Sequence, residues 1–82
     1  MFTYATRGTC SRQIDLELED GVIKYVKFHG GCNGNLKGIA QLTVGMKAED
    51  VIQRTKGTTC GFRDTSCPDQ LARALEAALA EK

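Results

Sequence analysis

Residues 14–28 read IDLELEDGVIKYVKF, and this stretch decides the fold. Its first part alternates aliphatic with acidic residues, which is typical of a β-strand with one buried face and one solvated face. Asp20-Gly21 then predicts a tight turn, because glycine takes a positive φ without steric cost. Residues 22–28 are rich in β-branched and aromatic side chains and predict the returning strand of an antiparallel hairpin.

Two further features complete the predicted sheet. Residues 2–6 are expected to form a short strand in front of the hairpin. Four alternate residues of the returning strand are predicted to share one face: Val22, Lys24, Val26 and Phe28.

The second half of the chain has helical periodicity. Helices are predicted over residues 36–44 and 48–55, and a last helix begins after Ser66. Ser66 and Asp69 resemble a capping box with Asp in place of Glu, and Pro68 fits a first helical turn. The sequence therefore predicts one α+β domain over residues 1–82: a three-stranded antiparallel sheet with about three helices packed on one face.

Composition limits the function. A chain of 82 residues builds a small core and often depends on a metal, disulfides or a partner. Eleven basic and ten acidic residues form no stripe typical of nucleic-acid binding, and no run spans a membrane. No signal peptide is visible, so a cytoplasmic location is expected, where clustered cysteines favour metal or redox chemistry over structural disulfides.

Four cysteines are the candidate metal ligands: Cys10, Cys32, Cys60 and Cys67. Each falls in a predicted loop or at a helix start. Cys32 and Cys67 precede or begin helices, where the positive end of the helix dipole favours a thiolate. No C-x-x-C pair occurs, so only tertiary folding can bring the four together, and two disulfides or four unrelated thiols remain alternatives.

The single histidine, His29, lies three residues before Cys32. It is a candidate ligand or proton shuttle, although a lone histidine at a strand end is more often a satisfied or exposed residue. The glycine-rich loop around Cys32 matches no phosphate-binding spacing, and it is interpreted as a turn that lets Cys32 reach its partners. No catalytic constellation is predicted.

Residues 65–69 read TSCPD. Together with Gly8-Thr9-Cys10-Ser11, the loop at residues 30–35 and Cys60-Gly61, this run resembles the TSCPD-domain family of small bacterial proteins. The domain is also found appended to ribonucleoside-diphosphate reductases. The resemblance implies an accessory or metal-binding role, with such a reductase as a possible partner. It implies no reductase activity, because 82 residues cannot hold the barrel and nucleotide sites of that enzyme.

The order of motifs is also similar in layout to U-type iron–sulfur scaffold proteins. The cysteine loop at Cys10, the Asp20-Gly21 hairpin, the segment leading to Cys32 and the final Cys67 follow one another as in those scaffolds. That resemblance implies the scaffold fold and a three-thiolate site formed by Cys10, Cys32 and Cys67, to which Cys60 would be extra. Ser11-Arg12 stands where the scaffolds carry Gly-Asp.

The leading hypothesis is thus a small metal-binding module, structural or involved in metal or cluster handling. Four thiolates suit a closed tetrahedral zinc site and also an iron–sulfur cluster, with zinc preferred. Two alternatives are a domain that binds ribonucleotide reductase and a thiol redox protein in which Cys67 pairs with Cys32 or Cys60.

Overall fold

The computed structural model describes residues 1–9, 11–31, 33–59, 61–62 and 64–81. The strands form one antiparallel sheet in the order β1-β2-β3. They are β1 (Phe2–Ala5), β2 (Ser11–Glu19) and β3 (Val22–Gly30). The helices are α1 (Asn33–Thr43), α2 (Ala48–Thr55) and α3 (Cys67–Ala80). The predicted α+β class, with three strands and three helices, is confirmed.

The turn of the hairpin is the predicted one. Asp20 has a φ of 54° and Gly21 a φ of 78°. Two successive positive φ values belong to the turn that matches the right-handed twist of an antiparallel hairpin. The hairpin therefore rests on local turn chemistry as well as on alternation.

The predicted face of β3 was wrong in its first half. The register shifts between Glu17 and Leu18, so that Lys24 is an extra residue on β3. This β-bulge turns Ile23 into the core, where it is fully buried, and leaves Val22 half-buried and Lys24 exposed. A bulge offsets the alternation by one residue, and simple counting along the strand cannot detect it.

The helices cover one face of the sheet and enclose the core. Ile14 and Leu16 of β2 are fully buried, as the alternation predicts. They pack with Val51 of α2 and with Leu71 and Leu75 of α3.

The first helix begins earlier than predicted. α1 starts at Asn33, whereas periodicity placed its start at residue 36. Asparagine and glycine are weak helix formers, so the extra turn carries no apolar signal. Among the described residues, no helix is long and apolar enough to cross a membrane.

Candidate functional site

Cys67 is the first residue of α3 and the predicted ligand that the structure describes. Ser66 caps the helix in an extended conformation, and its Oγ accepts a hydrogen bond from the Asp69 N–H at 3.2 Å. Pro68 lies in the first turn. Cys67 is 9% exposed. Its thiol therefore combines burial with a position at the positive end of a helix.

Ser11 contacts this thiol from the sheet. The Cys67 Sγ lies 3.4 Å from the Ser11 Oγ, and Ser11 is 3% exposed. Ser11 points inward because the register shifts between Ser11 and Gln13, which makes Arg12 an extra residue on β2. Without that second bulge, Ser11 would share the outward face of Gln13. The irregularity thus joins the start of β2 to the start of α3.

Residues 57 and 58 are also tied to the start of α3. The Ser66 hydroxyl donates to the Thr58 carbonyl at 2.6 Å, and the Gly57 N–H donates to the Asp69 carboxylate at 2.6 Å. Both bonds involve groups of the TSCPD run. They fix the chain two residues before Cys60 against the turn that contains Cys67.

Asp69 is a buried acceptor of several hydrogen bonds and does not form the second half of a capping box. Its carboxylate is fully buried and accepts hydrogen bonds from the Thr65 hydroxyl, the Gly57 N–H and the Arg73 Nε, the last at 3.0 Å. Among the described residues, these donors take the place of the Ser66 N–H expected for a capping box. The predicted cap by Ser66 is confirmed, and the role predicted for Asp69 was wrong.

The charge of Asp69 is retained despite its burial. Burial alone would raise the pKa of the carboxyl, because it disfavours the charged form. The hydrogen bonds from Thr65, Gly57 and Arg73 outweigh burial and lower the pKa below its ordinary value. Asp69 is therefore a carboxylate near neutral pH.

Gln70 connects a further segment to the same turn. Its Nε2 donates to the Thr65 Oγ1 at 3.0 Å, and its Oε1 accepts from the Arg7 N–H at 3.1 Å. Gln70 is buried. The segment that precedes Cys10 is therefore held to α3 through a second buried side chain.

His29 lies on the other side of the sheet. Its Nε2 is 2.8 Å from the Asp15 Oδ2, and Asp15 alternates with the inward-facing Ile14 and Leu16. The pair therefore lies on the face turned away from the helices, here called the open face. Because Cys67 lies on the helical side, the structure does not bring His29 to it.

The Asp15 carboxylate is held by three donors. His29, Gln13 and Thr3 all hydrogen-bond to it. The His29 bond contributes most to a lowered pKa of Asp15, with Gln13 and Thr3 adding to it against the opposing effect of burial. The alternation correctly placed Asp15 on the solvent face, but its partner is far away in sequence and has no local signal.

The other predicted ligands, Cys10, Cys32 and Cys60, lie outside the described residues. Within the described ranges, no cluster of three or more His, Cys, Asp or Glu residues is placed to hold a metal. What the described residues do show is that neighbours of Cys10 and Cys60 contact the start of α3 and that a neighbour of Cys32 pairs with one of them. Ser11 pairs with Gly30 and contacts Cys67, while Thr58 bonds to Ser66.

Sequence reasoning missed the network around Asp69. One signal was available: Arg73 follows Asp69 by four residues, a spacing that lets their side chains meet on a helix. The bonds from Gly57 and Arg7 to this turn span long stretches of sequence and carry no such signal.

The chain matches a known protein family. A family model described as the TSCPD domain matches residues 2–79. No curated protein and no solved structure matches the chain.

Proposed function

We propose that this chain, which belongs to the TSCPD domain family, is a metal-binding module whose four cysteines hold one zinc ion or iron–sulfur cluster. The proposed ligands are the thiolates of Cys10, Cys32, Cys60 and Cys67. The supporting observation is that described neighbours of Cys10 and Cys60 contact the turn that begins with Ser66 and Cys67, and that a neighbour of Cys32 pairs with the first of them.

The contacts of these neighbours bear on the cysteines themselves, because each cysteine is joined to its neighbour by one or two peptide bonds. Consecutive Cα atoms are about 3.8 Å apart, so a residue cannot lie far from its neighbours in sequence. Cys10 directly precedes Ser11, whose hydroxyl contacts Cys67. Cys32 follows Gly30 by two residues, and Gly30 pairs with Ser11.

Cys60 is connected in the same way. It follows Thr58 by two residues, and the Thr58 carbonyl accepts the Ser66 hydroxyl at 2.6 Å. Each of the three cysteines is thus within two residues of a described contact near Cys67. This explains how a set without C-x-x-C pairs can serve one site.

The local electrostatics favour metal binding at Cys67. Metals bind thiolates, and the N-terminus of a helix stabilises a negative charge through its unpaired N–H groups. α3 has 14 residues, and its first residue is Cys67. A thiolate is favoured in this position, and thiolates bind soft or borderline metals.

Zinc is the preferred metal. Four thiolates form a closed tetrahedral zinc site with Zn–S distances of about 2.3 Å, and such sites contribute directly to folding. Such a contribution suits an 82-residue chain, because a small hydrophobic core supplies only about 3–5 kcal/mol of folding stability. An iron–sulfur cluster uses the same four thiolates and would indicate cluster handling.

Two other roles are distinguished by experiment. A thiol redox protein would use Cys67 with Cys32 or Cys60, because the helix end that favours a metal-binding thiolate also favours a reactive one. An accessory role beside ribonucleoside-diphosphate reductase rests on the family resemblance. It is compatible with a metal centre and would be tested by binding to the reductase.

The test is a metal titration with thiol counting. Reduced, metal-free protein is titrated with zinc under anaerobic conditions, and accessible thiols are counted with a chromogenic disulfide. We expect four thiols to become protected together at about one zinc per chain. Cobalt substitution should give the absorption of a tetrahedral thiolate site.

Single Cys→Ser variants identify the ligands. Each of the four should lower zinc affinity by at least about tenfold, a loss of roughly 1.4 kcal/mol. Thr59→Ser, an equally small change directly beside Cys60, is the matched control and should bind zinc like the parent. Protection of two thiols or fewer, or one defined disulfide after mild oxidation without metal protection, would favour the redox alternative.

A further inference from the structure

A groove separates β3 from α1, on the side of the sheet away from β1. It has a volume of about 610 Å³. Its floor is apolar: Val26 and Leu36 are buried, and Phe28 and Ala40 are partly buried. The nine lining residues come from these two elements and from Gly31 between them: Val26, Lys27, Phe28, Gly30, Gly31, Leu36, Lys37, Ala40 and Gln41.

Within the part of the chain that the structure describes, backbone bonds cover the outer edge of β3 along its first part. The Ile23 N–H donates to the Met46 carbonyl at 2.9 Å, and the Ile23 carbonyl accepts from the Gly45 N–H at 2.8 Å. From residue 24 to residue 30, no further backbone bond joins β3 to a described residue outside the sheet. The open part of the edge borders the groove, and such an edge is a template for another strand.

The charged residues that line the groove are both basic, and the Asp15 that pairs with Lys27 across the sheet is held by His29. Lys27 of β3 and Lys37 of α1 are exposed, and none of the nine lining residues is acidic. A segment that fits the groove would therefore carry acidic residues beside its apolar ones.

We propose that the groove between β3 and α1 binds an extended acidic and apolar peptide segment of a partner protein, which adds to the sheet beside β3. In this mode, main-chain hydrogen bonds supply affinity, and alternate side chains enter the groove. The apolar side chains would lie on Val26, Leu36 and Ala40, and the acidic ones, on the other side of the added strand, would lie on the open face beside Lys27. Lys37 adds positive charge on the side of α1. Residues 26–31 would span about six residues of such a peptide, roughly 20 Å.

A second copy of this chain fits the edge less well. Two β3 strands paired edge to edge would bring the exposed Lys24 and Lys27 of one copy toward those of the other. Like charges on adjacent strands are destabilising. The partner segment is therefore assigned the opposite charge.

None of the lining residues of the groove is a proposed metal ligand, but Gly30 and Gly31 directly precede Cys32, so the metal is kept in place during the test. The test uses the metal-replete chain and a displayed library of random octapeptides. Selection should enrich peptides that alternate apolar with acidic residues. A synthetic peptide of the enriched sequence should shift the backbone amide resonances of residues 25–31 and leave those of Phe2–Ala5 on the opposite edge unchanged.

Charge reversal provides the matched comparison. Lys27→Glu combined with Lys37→Glu should weaken binding of the peptide by about tenfold or more, since each contact is lost and replaced by repulsion. Lys24→Glu makes the same change on the same strand outside the groove lining and should alter affinity by less than about twofold. Far-ultraviolet circular dichroism checks that each variant folds.

Four results would overturn the proposal. The first three are failure of the library to enrich any acidic and apolar sequence, equal losses of affinity in the Lys24 variant and the double variant, and amide shifts confined to other surfaces. A dimer in sedimentation equilibrium that blocks the peptide would assign the groove to a second copy and also refute it.

Discussion

Removing the Asp69 carboxylate should destabilise the fold more than any other single change of an acidic residue at the described positions. Asp69 is fully buried and accepts hydrogen bonds from Gly57, Thr65 and Arg73. Asp69→Ala leaves the Gly57 N–H and the Thr65 hydroxyl without this acceptor. A hydrogen bond to a charged group contributes about 1.5–3 kcal/mol, and the lower end applies to both bonds because Gly57 is exposed and Thr65 is half-buried.

The total loss follows from these contacts. Arg73 is 49% exposed and can turn to solvent, so its ion pair contributes little. The two remaining donors give an expected loss of about 3 kcal/mol in the free energy of unfolding. For a chain of this size, each kcal/mol lowers Tm by about 4–8 °C, so we expect a decrease of roughly 12–24 °C.

The assay is urea unfolding followed by far-ultraviolet circular dichroism, with zinc held at one fixed concentration. Asp69→Asn keeps one acceptor oxygen and should therefore lower the free energy of unfolding less than Asp69→Ala does. Asp64→Ala removes an exposed carboxylate from the same loop and should change stability by less than about 0.5 kcal/mol. If Asp69→Ala is as stable as the Asp64 control, the reasoning from buried hydrogen bonds is refuted.

Three further changes test other parts of the structure. The bond with His29 lowers the pKa of Asp15 in the folded state, so the ionised carboxylate stabilises the fold above its unfolded pKa of about 3.9. This stability is lost as the pH falls through the lower pKa of the folded state. Asp15→Asn should therefore make the free energy of unfolding less dependent on pH in this range, and an unchanged pH dependence would contradict the assignment. Ser66→Ala removes the cap of α3 and the bond to Thr58 and should cost about 1–2 kcal/mol in urea unfolding, whereas a neutral result would argue against the cap. Gly21→Ala places a side chain at a φ of 78° and should cost about 1 kcal/mol by the same assay, and a stabilised variant would count against the turn.

Much of the fold is predictable because its signals are local. The alternation around Ile14 and Leu16, the Asp20-Gly21 turn and the Ser66 cap each depend on residues close in sequence. Side-chain period, turn conformation and capping are short-range effects, so one sequence is enough to detect them.

The features that shape the candidate site are less predictable. The extra residues Arg12 and Lys24 create bulges, and alternation alone does not show where a strand gains a residue. The first of these bulges turns Ser11 toward Cys67. The bond between Gly57 and Asp69 likewise joins residues that only the folded chain brings together.

The central claim, that the four cysteines form one metal centre, is tested most directly by elemental analysis and visible absorption of protein purified without chelator. We expect about one zinc per chain and no colour, or iron with sulfide and a brown colour if the site holds a cluster. A folded protein that contains no metal and has four titratable thiols would contradict the account.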